Sequence, residues 1–118
     1  MVQSQNKIVD LTIQASHLQG FTSQGNVIVG DRAFEYYNER NPNDYIQIPW
    51  QEVDLITAEV VFKKRIPRFA VHTKKNGDFI FSTKDNKLTL RTINKYIASD
   101  KLRRSLTIKD YIKKAFNK

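Results

Sequence analysis

Phe69-Ala70-Val71-His72-Thr73-Lys74-Lys75-Asn76-Gly77-Asp78-Phe79-Ile80-Phe81 is the stretch that decides the fold class of this chain. Two apolar runs flank Asn-Gly, the strongest short hairpin signal, because both central residues of a type I′ turn need φ > 0. A two-residue turn at Asn76-Gly77 pairs Lys75 with Asp78, Thr73 with Ile80 and His72 with Phe81. Phe69, Val71 and Ile80 then share one face, and His72, Phe79 and Phe81 share the other. Both faces are partly apolar, so the alternation leaves open which one is core.

Upstream of this hairpin the β pattern continues. Residues 7–14, 26–30, 33–38, 45–48 and 53–62 read as five further strands, and the hairpin supplies two more at 68–74 and 78–83. Gly20 and Gly25 bracket a loop, Gly30-Asp31 marks a turn, and Pro49 stops the fourth strand. In the fifth, Ile56, Ala58, Val60 and Phe62 alternate with Thr57, Glu59 and Val61. The step from Val53 and Leu55 to Ile56 breaks that alternation, which predicts a bulge.

Downstream the period changes from two to 3.6. Asp85 is a candidate N-cap for a helix over 86–98, with Leu90, Ile93 and Ile97 on one stripe and Lys87, Arg91 and Lys95 on another. After a link over 99–105, a last helix is expected at about 107–117. Thr107 and Asp110 have capping-box spacing, and Ile108, Tyr111, Ile112, Ala115 and Phe116 form its apolar stripe.

The order predicts a mainly β protein with C-terminal α. Seven antiparallel strands form a pleckstrin-homology-like barrel or a sandwich, followed by one or two helices. The whole chain, 1–118, is expected to be one domain: a barrel or sandwich over 7–83, a helix over 85–98 and an amphipathic basic helix over 106–118. A domain of 118 residues buries roughly two-thirds of its unfolded surface. Its 7 Phe, 5 Tyr and 1 Trp are enough to close a core without staples. With no cysteine, disulfides, thiol chemistry and Cys-based zinc sites are excluded. The polar start Met1-Val2-Gln3-Ser4-Gln5-Asn6-Lys7 lacks a signal-peptide layout, and no apolar run approaches the ~18–20 residues that span a bilayer. A cytoplasmic protein is expected, peripheral at most to the inner face of the membrane.

Catalytic motifs do not assemble in the sequence. His17 and His72 are 55 positions apart with no metal-ligand spacing, and both read as strand or strand-end residues, His72 packed beside Phe81. Two histidines and no nucleophile elbow give no persuasive Ser–His–Asp arrangement. Glycines at 20, 25, 30 and 77 make no phosphate loop. Glu35, Glu39, Asp44, Glu52 and Asp54 read as a solvated acidic face. Trp50 reads as core or rim packing. No catalytic residue, cofactor or metal is assigned, and the expectation is a non-enzyme. A small-ligand or sugar-phosphate site at a barrel mouth near Tyr36, Tyr37 and Trp50 is a further alternative.

Charge is the functional signal. Residues 1–62 hold 3 Lys/Arg and 8 Asp/Glu, a sum of −5, whereas residues 63–118 hold 17 and 4, a sum of +13. A basic half of this kind meets an anionic partner. One basic group is Lys63-Lys64-Arg65 with Arg68, Lys74 and Lys75. A second, Arg103, Arg104, Lys109, Lys113 and Lys114, is the expected partner or membrane contact. Ile108, Tyr111, Ile112 and Phe116 form an oligomerisation or docking stripe, which makes a soluble homo-oligomeric regulator the alternative. Without an aromatic RNA-binding signature or a helix-turn-helix, nucleic acid ranks below protein or membrane.

The segments Val27-Ile28-Val29-Gly30-Asp31-Arg32-Ala33-Phe34-Glu35-Tyr36-Tyr37-Asn38, Ile46-Gln47-Ile48-Pro49-Trp50 and Ile66-Pro67-Arg68-Phe69-Ala70-Val71-His72-Thr73-Lys74-Lys75-Asn76-Gly77 resemble the ManO-like family of Gram-positive bacteria. The resemblance extends over nearly the whole chain and includes Arg104-Ser105-Leu106. It implies a gene neighbourhood beside the mannose-type sugar phosphotransferase system. From that follows an accessory or regulatory role toward its permease, a phosphocarrier protein or operon expression. It implies no catalytic residue.

Overall fold

The computed structural model describes residues 2–19 and 21–105. The expected last helix, with Lys109, Lys113, Lys114 and the stripe Ile108, Tyr111, Ile112 and Phe116, lies outside the described residues. The strands are β1 (Val9–His17), β2 (Ser23–Gly30), β3 (Ala33–Asn38), β4 (Tyr45–Pro49), β5 (Val53–Val61), β6 (Arg65–Thr73), β7 (Asp78–Thr83) and β8 (Leu102–Ser105). A helix, α1 (Asn86–Ile93), separates β7 from β8. All eight strands belong to one sheet in the order β4-β3-β2-β1-β7-β6-β5-β8.

Expected and observed strands agree closely, with two topological corrections. The link predicted over 99–105 contains an eighth strand, which pairs parallel to β5 and makes the sheet mixed. A parallel neighbour needs a long crossover, and here β6, β7 and α1 provide it. The sheet is also not a closed barrel, since β4 and β8 stand at opposite ends of the strand order with no ladder joining them among the described residues.

Its two halves nevertheless fold over one another. β4 and β5 lie far apart in the order, yet a single 3₁₀ turn at Trp50–Glu52 connects them. Rings from non-adjacent strands meet inside: Phe34 lies 5.0 Å from Phe81 and 6.2 Å from Phe69, and Tyr36 lies 5.6 Å from Phe81. Val27, Val29, Ile48, Ile56 and Val71 complete this core. Burying each of these large side chains stabilises the fold by roughly 2–3 kcal/mol.

The hairpin that opened the sequence reading forms, but in another register. Phe69 pairs with Phe81, Val71 with Phe79 and His72 with Asp78. Phe69, Val71, Phe79 and Phe81 therefore share the core face, and His72 points away from it. Between the last paired residues, His72 and Asp78, stand five residues rather than the two expected between Lys75 and Asp78. Thr73 closes this connection, as its N–H donates to the Gly77 carbonyl at 3.0 Å and its hydroxyl accepts from Asn76 N–H at 2.9 Å. Only Gly77 has positive φ there (81°), so a type I′ turn at Asn76-Gly77 is absent. Placing Phe79 and Phe81 on the core face opposite Val71 and Phe69 selects this register over the shorter turn.

The predicted bulge is present between Val53 and Leu55. Phe62, expected to continue β5, instead lies in the turn that follows it. Gly25, expected in a loop, lies inside β2, where a Cβ would come within 2.0 Å of the Tyr37 carbonyl oxygen, so that close approach demands glycine. Helix α1 is capped as expected, with Asp85 accepting from Leu88 N–H at 3.0 Å. Ile93 and Ile97 plug the core and Leu90 packs against it. The helix ends at Ile93 rather than at 98, because the next bonds, Lys95 N–H to Thr92 O and Tyr96 N–H to Ile93 O, tighten to i→i+3 spacing.

Candidate interaction surface

The charge split of the sequence carries over to the sheet in part, because β5, from the acidic half, lies among the strands of the basic half. Strands β1 to β4 form one side, and β7, β6, β5 and β8 form the other. Residues 1–49 carry 3 Lys/Arg and 5 Asp/Glu, so the cations gather on the second side.

At one end of that side, Val61-Phe62-Lys63-Lys64 joins β5 to β6. Phe62 and Lys63 have φ of 51° and 67°, and Lys64 N–H donates to the Val61 carbonyl at 3.3 Å. This is the type I′ geometry that Asn-Gly normally fills. Holding two bulky residues there costs on the order of 1–2 kcal/mol each. Phe62 recovers none of it through burial, being 87% exposed. Lys63, Lys64 and Arg65 follow it and are exposed as well.

Beside this turn lies a depression of about 490 Å³ whose lining includes Lys64, Arg65, Lys84 and Lys87. The β7–α1 connection brings Lys84 and Lys87 to the same end of the sheet as the start of β6. The one carboxylate of the lining, Asp85, is already bonded to Leu88 N–H as the helix cap. Among the described residues, no carboxylate comes within ion-pair distance of Lys63, Lys64, Arg65, Lys84 or Lys87. By contrast, Arg68 is neutralised by Glu59 at 2.8 Å. Lys74 and Lys75 sit at the other end of β6, about 30 Å away at ~3.3 Å per residue. The first basic group of the sequence is therefore two groups in space.

Of the second group only Arg103 and Arg104 fall within the described residues. Arg103 and Arg104 lie in β8, where Thr57 pairs with Arg103 and Ala58 with Arg104. Both line one shallow depression with Ile56, Ala58, Val60, Leu90 and Leu102. Arg103 Nε donates to the Asp100 carbonyl at 3.1 Å.

On the outer face of β5 to β7, Thr57 Oγ1 lies 2.8 Å from His72 Nε2, and His72 Nδ1 lies 2.9 Å from Asp78 Oδ1. This hydroxyl–imidazole–carboxylate relay is invisible in the sequence, where the predicted register put His72 opposite Phe81. Its geometry resembles an activated nucleophile. Thr57, however, is paired on both sides, with Ala70 and with Arg103. Its backbone is thereby committed to the sheet and offers no oxyanion donors. The relay reads as cross-strand bonding. His17 sits between Tyr36 and Phe81, with ring centroids at 5.6 and 5.2 Å, and bonds Gln19, as a strand-end histidine should.

Glu35 departs most from expectation. It is fully buried, not part of a solvated face. Residues 4–6 cross over β3 and cover it. Ser4 Oγ, Gln5 N–H, Asn6 Nδ2, Tyr37 Oη and Gln47 Nε2 all donate to its carboxylate at 2.5–3.0 Å. Burial, opposed by the Gln47 hydrogen bond, pushes the Tyr37 hydroxyl up to about 12. Asn6 Oδ1 and Asp31 Oδ1 fasten the same segment to the β2–β3 turn through the N–H groups of Arg32, Ala33, Lys7 and Ile8.

The suggested mouth at Tyr36, Tyr37 and Trp50 does not form. Tyr36 is buried in the core, whereas Tyr37 faces the Glu35 network. Trp50 donates to the Gly30 carbonyl at 2.9 Å and stacks on Tyr96 at 5.6 Å. Among the described residues there is no cluster of three or more metal-ligating side chains, and no helix is long and apolar enough to cross a membrane.

The chain belongs to the family of the domain of unknown function DUF956, whose model matches residues 1–116. No curated protein matches it. A solved structure, the C-terminal domain of an unknown protein from Leishmania infantum, is similar with a TM-score of 0.66 at 10% identity. The similarity covers 75% of this chain and 82% of that one. At that identity the likeness is one of fold.

Proposed function

We propose that this protein is a non-enzymatic accessory or regulatory interaction module of a mannose-type sugar phosphotransferase system. In this reading it works in the cytoplasm and turns its basic side toward an anionic surface at the inner face of the membrane, at or beside the permease. The observation that carries the reading is the cluster Lys63, Lys64, Arg65, Lys84 and Lys87, which has no carboxylate partner among the described residues. Cations left unneutralised in this way raise the local concentration of an anionic partner and speed its encounter. The link to the sugar transporter rests on the resemblance of the segments at 27–38, 46–50 and 66–77. The pleckstrin-homology-like layout enters only as an architectural comparison for a β scaffold plugged by a helix.

The test is salt-dependent co-sedimentation of the full chain with inverted membrane vesicles from cells with and without the permease. Binding that requires the permease supports an accessory subunit. Binding to both vesicle types that declines between about 0.05 and 0.5 M salt supports a general anionic surface. Binding to neither removes the membrane-side reading and leaves a soluble partner.

A further inference from the structure

We propose that the β5–β6 turn is a membrane anchor: Phe62 enters the interface of an anionic lipid bilayer, while Lys63, Lys64, Arg65, Lys84 and Lys87 meet its phosphates. The proposal rests on the reading that the basic side faces the membrane, and it names the element and the chemistry of contact.

Neither local propensity nor core packing accounts for Phe62. Its φ of 51° belongs to residues such as glycine and asparagine, and its ring is 87% exposed. An observed backbone outlier at an exposed apex points toward function. A second exposed ring sharpens the point. Phe21 is 99% exposed, but the sequence 18–24 around it carries no charge, and Leu18 and Gln19 bond Ile80 and Asp78 at the end of β7 away from Lys84. Among the described residues, only at Phe62 does an exposed aromatic ring stand directly before three consecutive cations, with Lys84 and Lys87, from the β7–α1 connection and the first turn of α1, lining the adjoining depression.

That combination suits a bilayer better than a protein. A protein partner would need a pocket for an isolated convex ring, whereas a lipid interface accepts one anywhere on its surface. The cations then fall at head-group level, where attraction to anionic lipid is additive along the basic cluster.

The experiment is vesicle flotation of the full chain with phosphatidylcholine alone and with phosphatidylcholine containing phosphatidylglycerol, run beside the permease-bearing native vesicles. The expected result is binding to the anionic synthetic vesicles only. Phe62→Asn should weaken it by about tenfold without lowering thermal stability. Lys64→Glu with Arg65→Glu should weaken it by about a hundredfold. Phe62→Trp should retain binding and bring an emission blue shift together with quenching by brominated lipid. Unchanged binding of Phe62→Asn would overturn the anchor while leaving the basic side as the contact. Permease-dependent binding to native vesicles without binding to the synthetic ones would also overturn it, and would keep the accessory-module reading.

Discussion

The two halves of the sheet treat the same kind of residue in opposite ways. In β3 the outward-facing Glu35 is sealed beneath residues 4–6 and bonded by five donors. In β5 the outward-facing Glu59 meets solvent and a single arginine that is itself half exposed. Both positions read identically in the sequence, as an acidic residue between apolar neighbours on a strand. What separates them is whether a distant segment returns to cover the strand. One half uses its polar residues to hold itself together. The other leaves cations unneutralised and holds a strained turn at its tip, the two features on which the proposed partner surface rests.

The largest test of this contrast is a pair of substitutions. Glu35→Ala strands five donors in a buried site and should lower unfolding free energy by ~3 kcal/mol or more in a urea melt. Glu59→Ala removes a surface ion pair and should cost less than ~1 kcal/mol. Equal effects would break the distinction between the halves.

Tyr37→Phe removes one donor to Glu35 and should cost ~1.5 kcal/mol. It also carries a pH signature. Burial raises the Tyr37 pKa to about 12, so the folded state favours the neutral phenol. That contribution is complete below pH ~10 and is lost as pH rises toward 12. The wild type should therefore lose stability over that window, and Tyr37→Phe should flatten the loss. Asp31 gives the opposite sign. Hydrogen bonds, first from Ile8 N–H and also from Lys7 N–H, hold its carboxyl below 3.8 against a smaller effect of desolvation. Its contribution is present above that pH and lost as pH falls further. Asp31→Asn should melt below wild type at neutral pH and converge with it in acid.

Strand existence was legible where alternation was clean, and residues 33–38 and 78–83 are strands to the residue. The bulge near Leu55, the Asp85 cap and the apolar stripe of Leu90, Ile93 and Ile97 were equally open to reading, because each is a local pattern. What escaped was set by distant segments. β8 is four residues with two arginines, and its parallel partner lies more than forty positions upstream. The cover over Glu35 comes from residues 4–6. The hairpin register was decided by Phe69 on the facing strand, which outweighed a strong turn signal. The basic cluster was half visible: Lys63-Lys64-Arg65 stands out in the sequence, but only the β7–α1 connection brings Lys84 and Lys87 beside it.

The smallest effect isolates the strained tip. Two turns at opposite ends of β6 hold residues at positive φ, one with Gly77 at 81° and the other with Phe62 and Lys63 at 51° and 67°. At Gly77 the residue suits the backbone, and a Cβ there would meet nothing within 4 Å. Gly77→Ala should therefore destabilise by ~1 kcal/mol through backbone strain alone. At the other turn the residues oppose the backbone, so Phe62→Asn with Lys63→Gly should stabilise by ~1 kcal/mol, an increase of roughly 4 °C in Tm. Opposite signs at two turns of one strand would show that the β5–β6 tip is held against its folding preference. A loss of stability in the double variant would mean instead that Phe62 and Lys63 serve the fold, and the contrast between the two halves would lose its clearest example.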